Sequence, residues 1–131
     1  MEINEVFEKF KTIAVYGMSQ NSNKPSHNVP AFMKSQGYNI IPINPIAEEI
    51  LGLKVYKKLI DIPEDIDILN VFRPSDEATE VVKEAIERHK SRGDIKVIWL
   101  QEGIVSEIGK ELAKHNGIEF IQDLCMYKEY N

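Results

Sequence analysis

The chain has 131 residues, 43% hydrophobic and 28% charged, which suits one globular domain over 1–131 and excludes long disorder. Against 21 acidic side chains stand 16 basic ones, a formal charge of −5, whereas a nucleic-acid or anionic-membrane binder carries a basic surplus. The one cysteine, Cys125, allows no intrachain disulfide, and the acidic start Met1-Glu2-Ile3-Asn4-Glu5 lacks the apolar stretch of a secretory leader. A cytoplasmic protein is the expectation.

In chain order, Ile3, Val6, Phe7 and Phe10 are spaced for a short helix with one apolar face. The β-branched and aromatic run Ile13-Ala14-Val15-Tyr16 then predicts a strand buried on both faces. A polar stretch, Gly17-Met18-Ser19-Gln20-Asn21-Ser22-Asn23-Lys24-Pro25-Ser26, leads to a helix carrying Val29, Phe32 and Met33. Ser26 is its expected cap, Gly37 its end, and Pro30 is expected within the first turn. A second strand is predicted over 40–43. The stretch 45–65 is irregular, with a short edge strand expected at 53–56 and a helical turn before Pro63.

A third strand is expected over 68–72, followed by a helix whose stripe is Ala78, Val81, Val82, Ala85 and Ile86, with Ser75 as cap and Gly93 at its end. A strand over 97–100, a helix capped by Ser106 and closed by Gly117, and a strand over 118–121 complete the pattern. His115 falls in the last turn of that helix, where a cation is favourable. Regular alternation of strand and helix predicts an α/β fold, a Rossmann-like doubly wound sheet, mainly parallel, with helices on both faces and the first strand near its centre. None of the apolar runs approaches the roughly 20 residues of a bilayer span.

In such a sheet ligands bind beyond the carboxyl ends of the strands. The loop after the first strand combines a glycine, small polar side chains, Lys24 and a helix start, the ingredients of an anion site. A nicotinamide dinucleotide site would show G-x-G-x-x-G and an acidic residue after the second strand; here only Gly17 is present, and that strand ends Ile43-Asn44-Pro45. The chain has no Walker A lysine, and Gly17-Met18-Ser19-Gln20-Asn21 is not a nucleophile elbow. His27, His89 and His115 lack metal-ligand spacing.

Taken in order, Ile13-Ala14-Val15-Tyr16-Gly17-Met18-Ser19, Lys24-Pro25-Ser26, Pro42-Ile43-Asn44-Pro45, Gly52-Leu53-Lys54-Val55-Tyr56, Asp67-Ile68-Leu69-Asn70-Val71-Phe72-Arg73, Trp99-Leu100-Gln101-Glu102-Gly103-Ile104 and Asp123-Leu124-Cys125-Met126 span nearly the whole chain. This ordered set resembles the small stand-alone coenzyme A (CoA) binding proteins, whose domain is similar to the N-terminal domain of the succinyl-CoA synthetase alpha subunit. That subunit carries its phosphorylatable histidine in a second domain. The resemblance therefore implies binding of CoA or acyl-CoA by these residues, as a carrier, sensor or regulatory subunit, without nucleotide-driven ligation.

It also implies roles. Gly17, Ser19, Lys24 and Ser26 would hold the phosphates, with Asn44 and Pro45 beside the nucleotide. Val71, Phe72 and Arg73 would flank adenine or its ribose phosphate, and Gln101, Glu102 and Gly103 would line the path of the pantetheine arm. Apart from the resemblance, a last strand that ends at Gln122 would put Asp123-Leu124-Cys125 on the same rim, with the Cys125 thiol placed for exchange with CoA or for bridging two subunits. The alternatives are an oxidoreductase or acyl-CoA transferase using Glu102 or Cys125, and an interaction module whose loop only looks like a nucleotide site. A homodimer and a separate partner protein are both compatible with the sequence.

Overall fold

In the computed structural model, which describes residues 1–130, the chain runs α1 (Ile3–Lys9), β1 (Thr12–Tyr16), α2 (Pro25–Ser35), β2 (Asn39–Ile43), β3 (Glu49–Ile50), β4 (Leu53–Lys54), β5 (Ile68–Val71), α3 (Ser75–Arg92), β6 (Val97–Leu100), α4 (Glu107–His115), β7 (Glu119–Ile121) and α5 (Met126–Glu129). Asn131 lies outside the described residues. The main sheet has the order β2-β1-β5-β6-β7, and every pairing in it is parallel. β1 is an interior strand, while β5 occupies the middle.

Alternation along the strands feeds two cores. Ile13, Val15, Ile68, Val97 and Trp99 face one side, where they pack with Val6, Phe7, Val29, Met33 and Met126 of α1, α2 and α5. Ala14, Leu69, Val71, Ile98 and Leu100 face the other, against Ala78, Val82, Ala85 and Ala113 of α3 and α4. With both faces covered, an interior strand such as β6 reads as an unbroken apolar run, Val97-Ile98-Trp99-Leu100. A fully buried side chain of this size contributes about 1.5–3 kcal/mol relative to exposure.

Ser106 caps α4 as expected, its Oγ accepting the Gly109 N–H at 2.9 Å. The other two caps differ. α2 starts one residue before Ser26, with Lys24 as the cap residue and Pro25 in the first helical position, where its locked φ is already helical. α3 likewise starts at Ser75 after Pro74, and Ser75 Oγ instead accepts the Val105 N–H at 3.0 Å. Pro30 lies in the second turn of α2 rather than the first. The N–H it lacks would have bonded the Ser26 carbonyl, and the Ser19 N–H donates to that carbonyl instead at 3.2 Å.

The expected edge strand over 53–56 is divided. Leu53 and Lys54 pair antiparallel with β3, while Tyr56 bridges in parallel to Ile43. The helical turn before Pro63 is a 3-10 turn at Leu59–Asp61. Among the described residues no helix is long and apolar enough to cross a membrane.

Candidate functional site

Strand order reverses between β1 and β5, so the loops leaving these neighbours diverge and open a cleft at their carboxyl ends. Gly17 sits at the point of divergence. Its φ is +90°, and a Cβ there would stand 3.0 Å from Arg73 Cδ and 3.2 Å from the Phe72 carbonyl oxygen. Only glycine accepts that combination of backbone angle and close approach. The Gly17 and Met18 N–H groups both donate to the Ile43 carbonyl, at 3.0 and 3.2 Å, tying the loop to β2.

The rest of the loop holds itself in shape. Ser19 Oγ accepts the Asn21 N–H at 3.0 Å, Asn21 Oδ1 accepts the Asn23 N–H at 2.9 Å, and the Ser19 carbonyl lies 2.8 Å from His27 Nδ1. Asn44 is a staple between loops: its Nδ2 donates to the Met18 carbonyl at 2.8 Å, and its Oδ1 accepts the Ile46 and Ala47 N–H groups at 2.8 and 2.9 Å. Its side chain shapes the wall, with most of its hydrogen-bonding capacity already committed.

The resulting cleft has a volume of about 470 Å³ and brings together Gly17, Ser19, Lys24, Ser26, Asn44, Pro45, Phe72 and Arg73 of the expected residues. Tyr16, Lys57 and Glu77 line it too, and sequence reasoning missed all three. Glu77 was detectable, since it stands four residues after Arg73 on a predicted helix, the spacing of an ion pair. Lys57 gave no such signal, because its irregular segment reaches the cleft only through the Tyr56 bridge. Val71 is fully buried beneath, among the core residues facing α3.

Electrostatics separate the cations of this cleft. Arg73 is engaged by Glu77, with Nη2 2.9 and 3.0 Å from the two carboxylate oxygens and Nε 3.3 Å from one. Among the described residues, Lys24 and Lys57 take part in no ion pair. Tyr16 donates its hydroxyl proton to Glu84 at 2.7 Å. Burial, then the hydrogen bond to Glu84, pushes its phenol well above the ordinary tyrosine range.

A second cleft of about 510 Å³ adjoins the first and shares Lys24, Ser26 and Phe72 with it. Its other walls are Pro25, Gln101, Glu102, Ile104, Cys125 and Lys128. Gln101 is buried, and its Oε1 accepts the Met126 N–H at 3.4 Å. Glu102 is exposed and pairs with Lys128 at 2.9 Å, a hydrogen bond that raises the lysine's pKa. Cys125 is buried at the start of α5. Gly103 is not part of the wall; it makes a turn in which its N–H donates to Asp123 Oδ1 at 2.7 Å. Among the described residues no cluster of His, Cys, Asp and Glu could hold a metal.

Known proteins share this architecture. The family model described as CoA binding domain matches residues 11–131. YneT of Bacillus subtilis (strain 168) is 40% identical over 125 residues, covering 95% of this chain and 89% of that protein. The ADP-forming acetate–CoA ligase of Methanocaldococcus jannaschii is 30% identical over 124 residues, but that match covers only 17% of the ligase. Among solved structures, cell-free ID.343 from Thermus thermophilus superposes with a TM-score of 0.88 at 32% identity, covering 97% of this chain and 92% of that one. A dinucleotide-forming acetyl-coenzyme A synthetase of Ca. Korarchaeum cryptofilum has a TM-score of 0.69 at 25% identity over 86% of this chain and 26% of its own. From a family match over all but the first ten residues, and a parallel sheet that opens a cleft at its switch point, it follows that the chain belongs to the CoA binding domain family.

Proposed function

We propose that the chain binds CoA or an acyl-CoA across the two adjoining clefts and serves as a carrier, sensor or regulatory subunit. The observation that carries this is the sharing of Lys24, Ser26 and Phe72 between a polar cleft and a second, more apolar one. A ligand with a phosphorylated nucleotide at one end and an extended arm at the other matches that division. The phosphates would meet Lys24, the Ser26 hydroxyl and the start of α2, whose first turn holds no acidic residue. Lys57 adds charge from the opposite loop. The half-buried Phe72 ring offers an apolar surface to the ligand, and Pro25, Ile104 and Cys125 would flank the arm. The ligase and synthetase relatives carry CoA in their names, which agrees with this reading of the shared domain.

Isothermal titration with CoA, NAD and NADP tests it. CoA is expected to bind about tenfold or more tighter than either nicotinamide nucleotide, a margin of about 1.4 kcal/mol. Equal or tighter binding of NAD or NADP overturns the proposal, as does failure to bind CoA. Lys24→Gln is expected to weaken CoA several-fold and to reduce the salt dependence of binding. A larger loss for CoA than for dephospho-CoA would assign Lys24 to the 3′-phosphate, and equal losses would assign it to the pyrophosphate.

A further inference from the structure

The cation nearest the switch point is already occupied. Arg73 leaves the end of β5 with its stem against Gly17, close enough that its Cδ is the nearest atom to the place a glycine Cβ would take. Its guanidinium is gripped by both oxygens of Glu77, one helical turn onward, and both side chains line the cleft at the switch point. The two are 42% and 49% exposed, so this is a wet pair that exchanges partners readily. Nη1 has no partner among the described residues and is free to meet an incoming anion.

We infer that Arg73 is a specificity-determining residue for a phosphomonoester and that Glu77 holds it in reserve, so that this group must displace the carboxylate to reach the guanidinium. The inference rests on the CoA reading of the cleft and adds to it the group that the arginine selects. The physical ground is charge. A phosphomonoester carries close to two negative charges at neutral pH and three acceptor oxygens, and it suits the planar guanidinium better than a carboxylate in water does. A ligand lacking that group brings too little charge to displace Glu77, and it meets the carboxylate as a like charge in the same cleft. The 3′-phosphate of CoA is such a monoester, and dephospho-CoA lacks it.

The experiment is a titration of CoA and dephospho-CoA into wild type, Glu77→Gln, Arg73→Gln and the double variant. Glu77→Gln keeps size and helix position while removing the competing charge. It is expected to tighten CoA roughly threefold or more, and to tighten dephospho-CoA by a smaller factor. In the Arg73→Gln background the same change is expected to leave the ratio of the two affinities unaltered, because the reserved cation is gone.

Weaker CoA binding by Glu77→Gln, with an unaltered thermal unfolding profile, would make Glu77 a direct support for the ligand and overturn the inference. So would equal gains for both ligands, or a gain in the ratio that persists without Arg73. Wild type that binds no CoA would overturn the reading of the cleft, and this inference with it, whereas the other adverse outcomes leave that reading standing.

Discussion

Two arginines at opposite ends of α3 contrast the two rims of the sheet. Arg88, near the amino ends of the strands, has a side chain only 6% exposed and every N–H spoken for. It holds Asp94 through Nε and Nη2, and donates to the carbonyls of Leu59, Ile62 and Glu64 at 2.8–3.0 Å. Asp94 in turn accepts the Ile66 N–H at 2.9 Å, so the pair pins the approaches to β5 and β6. Arg73, at the carboxyl rim, is half-exposed and has a single exchangeable partner. Charges completed inside the fold are structural, and charges left with spare donors beside a cleft are available to a ligand. The same division separates Lys24 and Lys57 from the buried pair.

The strongest way to break this contrast is at Arg88. Arg88→Ala leaves Asp94 buried without its partner and is expected to cost about 3–5 kcal/mol, a large part of the 5–15 kcal/mol typical of a domain. Urea unfolding would show it, while CoA affinity of the folded fraction should hold. A loss confined to a few tenths of a kcal/mol would return Arg88 to the class of surface charges.

Next in size is a pair of glycine substitutions. Gly17 and Gly93 both have positive φ, at +90° and +77°, but a Cβ at 93 meets nothing within 4 Å. Alanine in a left-handed conformation costs about 1–2 kcal/mol at either place. Only Gly17→Ala also pushes on Arg73 and the Phe72 carbonyl, so it alone is expected to lower CoA affinity, by about tenfold. Equal effects of the two substitutions on binding would remove the argument for close approach at the switch point.

The smallest effect concerns Tyr16, whose titration separates the fold from the cleft. Its phenol is raised by burial first and by the hydrogen bond to Glu84 second. A raised folded-state value means that the neutral form is favoured. That stabilisation is complete below the unfolded value near 10 and is lost as pH climbs through the higher folded value. Ultraviolet titration should therefore lose its latest-ionising tyrosine in Tyr16→Phe, and Glu84→Gln should shift that step to lower pH. An unshifted step in Glu84→Gln would leave burial as the sole cause.

Much of the fold was legible in local pattern. The strands were readable because side chains buried on both faces leave apolar runs, as in Val97-Ile98-Trp99-Leu100. The cap at Ser106 was readable because its bond to the Gly109 N–H spans three residues. Where prolines preceded the serines, at Pro25 and Pro74, the helix began earlier than composition suggested, because a locked φ outranks a capping hydroxyl. Of the site, the loop after β1 was visible as a loop with an anion-binding composition. The occupation of Asn44 by Met18 and of Glu102 by Lys128 was not, because those partners lie 26 residues away in sequence.

Local pattern and motif order were enough for the α/β alternation, the faces buried by each strand and helix, the family and most of the residues that meet in the cleft at the switch point. Those properties follow from patterns repeating over two to four residues and from an ordered set of motifs. The strand order that opens the cleft, the entry of Lys57 and Glu77 into it, and the division of its cations into paired and spare came from packing alone. Those depend on chain segments brought together by packing, and no local pattern records which distant partner a charged side chain will find.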